Sequence, residues 1–297
     1  MVSMDKILGN KKAYCVFTLP ALIIYISLVV IPIFMTGYYS MLDWNGMGKA
    51  TMAGFENFIG LFTNNSGFVT SVFNSFLLAV LSVAFQLPIA LVLALILARG
   101  VKGEKFYRVA YFIPVVISSV VIGQLWAKIY NPDYGMLNEL LKSVGLGFLA
   151  TDWLGRTETS LTSALIPTVW QFIGYHMLLL YTAIKSVPDD VLEAAKIDGA
   201  SEIQTALKIT IPLIAPMIKV SLTFAVIGSL KFFDLIYILT KGGPIHSSEV
   251  PGYLMYNTIF NLNQYGQGSA IAVFIVIECI VFYWLIEKFF KTESIVY

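Results

Sequence analysis

Charge is what this 297-residue chain has least of: 12% of its residues are charged, against 58% hydrophobic. With a mean hydropathy of +0.78, that scarcity excludes a soluble globular protein and makes the chain a polytopic membrane protein. A net charge of +1 says nothing about nucleic acid, and none is expected as a partner; the distribution of the charges is what carries information. The two cysteines, Cys15 and Cys279, both lie in apolar runs, which excludes a secreted disulfide framework and makes them small apolar fillers. The two histidines, His176 and His246, stand apart, so no zinc cluster is expected. The phosphate-loop pattern G-x-x-x-x-G-K-[ST] is missing, Gly100-Val101-Lys102-Gly103 having the wrong spacing. The chain is therefore not expected to bind or hydrolyse ATP itself. No G-x-S-x-G nucleophile motif is present, and neither a catalytic residue nor a bound cofactor is expected. Internal repeats and low-complexity tracts are also absent.

What the chain does have is long apolar runs. Six are long enough to cross a bilayer, each needing about 20 residues: 13–38, 69–98, 109–130, 161–184, 213–239 and 269–286. The first follows Lys6, Lys11 and Lys12 but is too long for a signal-peptide core and has no small-residue cleavage site after it, so it reads as a retained helix. Lys and Arg then set the orientation. With the N-terminus inside, cytoplasmic segments carry twelve: Lys6, Lys11, Lys12, Arg99, Lys102, Lys105, Arg108, Lys185, Lys196, Lys208, Lys288 and Lys291. The outer side carries four: Lys49, Lys142, Arg156 and Lys241. That excess predicts both termini in the cytoplasm.

One long polar segment, 185–212, then falls on the cytoplasmic side between two spans. Ser186 followed by Asp189 reads as a helix cap with Pro188 in the first turn, and Ser201 followed by Gln204 as a capping box. Gly199 between them is a helix stop. The expectation is a helix around 189–198, a glycine turn, and a second helix around 202–209 closed by Pro212. The small residues Ala194, Ala195, Gly199 and Ala200 cluster at the turn, ringed by Glu193, Lys196, Asp198 and Glu202. Such a knuckle suits docking into a partner rather than catalysis.

Glu193-Ala194-Ala195, Asp198-Gly199-Ala200 and Ile211-Pro212, in that register, resemble the EAA loop of binding-protein-dependent ABC importer permeases, most closely the carbohydrate branch. The resemblance extends over nearly the whole chain. Pro20-Ala21-Leu22, Phe55-Glu56-Asn57-Phe58, Asn131-Pro132-Asp133-Tyr134-Gly135 and Leu239-Thr240-Lys241-Gly242-Gly243-Pro244 are similar to that branch. It implies an all-α, six-helix type I importer permease fold in a bacterial or archaeal cytoplasmic membrane. It implies a first helix and outer loop over 1–68, a five-helix core over 69–290 and a cytoplasmic tail over 291–297. It also implies partners: a second, homologous permease, two ATPase subunits carrying the ATP and magnesium, an extracytoplasmic binding protein and a carbohydrate or polyol substrate. Glu193, Ala194, Ala195, Asp198, Gly199, Ala200 and Pro212 become the ATPase-coupling residues.

Polar groups inside the bilayer are costly and either line cavities or find partners. Thr168, Gln171, Tyr175 and Thr182 fall near one face of the fourth span, where they can wall a sugar path or bond between helices. Asn74, Gln86, Gln124 and Trp126 have the same two uses. Lys231 and Asp234 are three residues apart in the fifth span, and Glu278 sits near the middle of the sixth at similar depth. A structural Lys231–Glu278 ion pair is expected, with Asp234 nearer the path. Glu278, His176 and Asp234 leave a proton-coupled secondary transporter or channel as the alternative class. In the outer loops, Asn131–Gly135 reads as a turn, Leu137, Leu140, Leu141 and Val144 as a short interfacial helix, Trp153 as an interfacial aromatic, and 242–267 as an aromatic membrane-interface cap or a contact for an external binding protein.

Overall fold

The computed structural model describes residues 11–63 and 66–290. Lys6, Lys291 and the tail 291–297 lie outside the described residues, as do the side chains at 11–15, Cys15 included. The chain forms two compact units, Met1–Thr63 with Met255–Phe274 and Asn64–Leu254 with Ile275–Tyr297.

The first unit carries helix α1 (Val16–Tyr39), most of whose apolar side chains are exposed and none buried. After it, Leu42–Asp43 pairs antiparallel with Thr51–Met52, and helix α2 (Glu56–Thr63) follows. The Asn57 side-chain amide donates to the carbonyls of Ser40 and Leu42, at 2.9 and 2.8 Å, and so ties α2 to the end of α1. Trp44 packs on Tyr265 at the start of the last helix.

The second unit holds the core. Helix α3 (Gly67–Ala98) is a continuous apolar span. The third apolar run is broken into α4 (Glu104–Val116) and α5 (Ser119–Ile129), bent by 94°. At 13 and 11 residues these halves are about 20 and 17 Å long, each too short for a hydrocarbon layer of about 30 Å. Pro114 lies inside α4 without ending it; the break is at Ile117 and Ser118, both extended, and the Ser118 hydroxyl caps the Val120 amide.

Helix α6 (Met136–Ser143) is the short amphipathic helix, entered through a turn in which the Asn131 side chain accepts from the Asp133 and Tyr134 amides. The long span α7 (Ser160–Lys185) is the most buried of the set. Two short helices follow, α8 (Asp189–Ile197) and α9 (Glu202–Thr205), and α9 runs on through a π turn, Ala206–Thr210. The fifth span, Ala215–Leu239, is interrupted: α10 (Ala215–Leu230) stops, and α11 (Asp234–Leu239) restarts after Phe233. Helix α12 (Pro251–Tyr256) then leads to the last span, α13 (Tyr265–Phe289).

Leu78, Ile122, Leu165, Leu235, Ile236 and Val250 form one core cluster, and Ala90, Ala94, Leu97, Met177, Leu180 and Ile214 a second nearer the 185–212 loop. The loop after α11 is held from below: buried Asn74 donates to the Ser247 and Glu249 carbonyls at 3.0 and 2.8 Å.

Candidate functional site

Two features of the second unit bear on function: a cavity among the spans, and the knuckle below it. The cavity has a volume of about 330 Å³, within the range of small-molecule sites. Gln86, Thr168, Tyr175, His176, Ser229 and Lys231 supply its main polar groups, and Phe172 and Phe224 aromatic surface. Several of these groups are fixed. Ser82 and Ser229 hydroxyls lie 3.2 Å apart, Ser229 also donates to the Ala225 carbonyl at 2.8 Å, and His176 Nδ1 pairs with the Ser221 hydroxyl at 2.7 Å. Tyr175 stands over Phe224 with ring centroids 6.3 Å apart. The wall is thus apolar and aromatic with a few oriented hydroxyls and one cation.

The expected path residues divide. Tyr175 lines the cavity with Thr168, two helical turns away. Gln171, about 60° round the helix from Thr168, is buried off the lining. Thr182 lies on the right face but about 10 Å further along; it is exposed and bonds back to the Leu179 carbonyl. Gln124 is exposed, and Trp126 packs between Tyr130 and Trp170. Asp234 accepts a bond from the Ser119 hydroxyl at 3.3 Å, joining α11 to α5 where both restart after their breaks.

The expected Lys231–Glu278 pair is not formed: among the described residues no ion pair joins them, and Glu278 Oε2 is buried without a hydrogen-bond partner. The reason is helical phase. Lys231, whose amide still bonds the Ile227 carbonyl, falls on the face of α10 that carries Phe224, Ile227 and Gly228 to the cavity, whereas the face packed on the last span is that of Leu222, Val226 and Leu230, about 100° round the helix. The ion pair between the last two spans is instead Lys219–Glu287, at 2.7 Å.

The knuckle has the expected glycine turn and capping box. Gly199 has φ +78°, Ser201 Oγ accepts from the Gln204 amide, and Gln204 Oε1 accepts from the Ser201 amide at 2.8 Å. Two details differ from expectation. Ser186 is not the cap of α8; Pro188 holds that position and the Ser186 hydroxyl donates backwards to Ala183. Pro212 does not end the second helix: the backbone stays helical from the π turn Ala206–Thr210 through Ile211–Leu213, with Pro212 inside it directly after that wider turn. Ala195 is buried, while Glu193, Ala194, Asp198, Gly199 and Pro212 are exposed and Ala200 is half-buried.

The knuckle is rooted by Val187 in the second core cluster and by the Arg99–Glu202 ion pair to the end of α3. Its outward surface carries Ile197, Ile203 and Leu207, exposed by 85, 68 and 60%. Reading by charge and small residues passed over these three; apolar side chains in an otherwise polar loop were the available signal.

Residues 86–292 match the family described as binding-protein-dependent transport system inner membrane component. The chain belongs to this family. It is 36% identical over 286 residues to "Probable ABC transporter permease protein YurN" of Bacillus subtilis, covering 95% of this permease and 97% of that protein. Identity is 32% to "Probable starch degradation products transport system permease protein AmyD" of Thermoanaerobacterium thermosulfurigenes, covering 94% and 95%. It is 30% to "Trehalose/maltose transport system permease protein MalF" of Thermococcus litoralis, covering 91% and 92%. The fold matches a chain of a bacterial ABC transporter involved in the import of the acidic polysaccharide alginate. There the TM-score is 0.82 at 23% identity, covering 98% of each chain. The permease is a multi-pass membrane subunit of an ABC importer rather than an enzyme.

Proposed function

We propose that this permease conducts a carbohydrate or related polyol across the cytoplasmic membrane, as one of two homologous membrane subunits driven by two separate ATPases and supplied by an extracytoplasmic binding protein. The observation that carries the reading is the cavity wall. Oriented hydroxyls and an amide from Ser82, Gln86, Thr168 and Ser229 stand beside the rings of Phe172, Tyr175 and Phe224. Hydroxyl-rich ligands need that combination of donors, acceptors and flat apolar surface. Relatives named for starch products and for trehalose and maltose support the substrate class.

The knuckle of α8, Gly199 and α9 is the ATPase contact, with Glu193, Ala194, Ala195, Asp198, Gly199 and Ala200 at its turn and Ile197, Ile203 and Leu207 as its apolar face. It lies in the cytoplasm together with both termini, as the excess of Lys and Arg on that side supports. ATP and magnesium bind to the partner. Their cycle moves the knuckle, and swinging a two-state gate from 1:99 to 99:1 requires about 5.5 kcal/mol of differential binding. The test is uptake of labelled oligosaccharides into proteoliposomes holding both permeases, the ATPase and the binding protein. Uptake is expected only with ATP and binding protein together. Undiminished uptake without the ATPase would instead make the chain a secondary transporter or channel.

A further inference from the structure

At the knuckle end of the second unit, α4 and α7 are joined by three side chains. Tyr181 on α7 donates its hydroxyl to Glu104 Oε1 on α4. Arg108, one turn further along α4, lies 3.7 Å from the same carboxylate and stacks its guanidinium 4.8 Å from the centre of the Tyr181 ring. A second contact holds the helices two turns away. Gly174 packs so closely against α4 that a Cβ there would collide with the Tyr111 carbonyl. The pairs 104/181 and 111/174 are separated by seven residues, about 10 Å, on both helices. Two fixed points at that spacing set both the distance and the angle between antiparallel helices, so α4 and α7 form one stiff body.

That body has a driven end and a working end. Tyr181 is one turn before Lys185, where α7 passes through Ser186 and Val187 into the knuckle helix α8. Helix α4 carries Val115 on the cavity wall and stops at the Ile117–Ser118 break, beyond which α5 turns by 94° and holds Asp234 through Ser119. We propose that Glu104, Tyr181 and Arg108 are a coupling latch: they make the cavity-lining half of the broken span follow the knuckle, so that movement imposed on α8 opens and closes the cavity. Without the hydroxyl-to-carboxylate link, α7 moves with the knuckle while α4 lags behind, and ATP is consumed without passage of substrate. They are positioning residues, acting through α4 rather than on the substrate. The inference rests on the reading of the knuckle as the ATPase contact.

The test is the number of substrate molecules moved per ATP hydrolysed by the reconstituted complete importer. Tyr181→Phe, which deletes one oxygen, is expected to lower that ratio at least tenfold, with binding-protein-stimulated ATP hydrolysis kept within about twofold. Glu104→Gln keeps an acceptor for the tyrosine and is expected to keep most of the coupling, whereas Glu104→Ala loses it. Tyr181→Phe combined with Glu104→Ala should be no worse than the poorer single change, since one link is removed twice. An unchanged ratio in Tyr181→Phe, losses that multiply in the double variant, or failure of Tyr181→Phe to assemble would each overturn the latch. A wild-type complex that shows no ATP-dependent uptake would instead overturn the importer reading itself.

Discussion

Gly199 separates two costs that most substitutions mix. Its φ of +78° is left-handed, and a Cβ built there meets nothing within 4 Å inside the chain. Replacement therefore carries a purely conformational cost within the subunit, about 1–2 kcal/mol for an L-residue forced into that region and less for Asn, which visits it readily. Ala and Leu share that backbone cost, and the Cβ of each enters open space. Any difference between them must arise outside the chain, from bulk pressed against a docked partner. A cost of 1–2 kcal/mol is a factor of about 5–30 in the local equilibrium, set against a switching requirement near 5.5 kcal/mol. Gly199→Asn should then transport nearly normally. Gly199→Ala should lose several-fold in uptake while still binding the ATPase, and Gly199→Leu should insert in the membrane but lose stable ATPase association or transport altogether. The assays are co-purification of the ATPase and coupled uptake in proteoliposomes. Full activity in Gly199→Leu, or equal loss in Ala and Leu, would refute the assignment of this turn to a close-packed interface.

Asn74→Leu leaves the carbonyls of Ser247 and Glu249 without their buried donor, at about 1–3 kcal/mol each; a thermal scan should show marked destabilisation together with exchange-labile amides in the loop after α11. Lys231→Met and Glu278→Gln should act independently on yield and transport, their double variant showing the sum of the free-energy effects; mutual rescue would restore the ion pair that the cavity-facing position of Lys231 denies. Burial pushes the Glu249 carboxyl above its ordinary value of 4.5, outweighing the opposing hydrogen bond from His246. Its folded form therefore favours the proton: the stabilisation is fully present below the ordinary value and is lost as pH rises through the raised one. Hydrogen-exchange protection factors in residues 242–250, corrected for the intrinsic pH dependence of amide exchange, should accordingly be higher at acid than at alkaline pH, and Glu249→Gln should flatten that dependence.

Features decided by neighbouring residues were legible in the sequence. The Ser201–Gln204 capping box, the left-handed Gly199, the Asn131 turn and the amphipathic Met136–Ser143 helix all rest on contacts spanning a few residues, and local composition encodes them. The spans themselves follow from hydropathy, because the bilayer filters on apolar length alone. The 94° break was invisible to that filter, since both halves are apolar and the proline inside α4 is not what breaks it. Only packing decided the rest. Thr168 and Tyr175 reach the cavity while Thr182 on the same face does not, because depth along the helix as well as phase selects the lining. Lys231 faces the cavity instead of Glu278 because packing turns the face of Leu222, Val226 and Leu230, not that of Lys231, to the last span, and Lys219 takes the ion pair there. Periodicity assigns a residue to a face of an ideal helix. Where that helix breaks, and how deep each residue lies against its neighbours, is fixed by contacts between segments far apart in sequence.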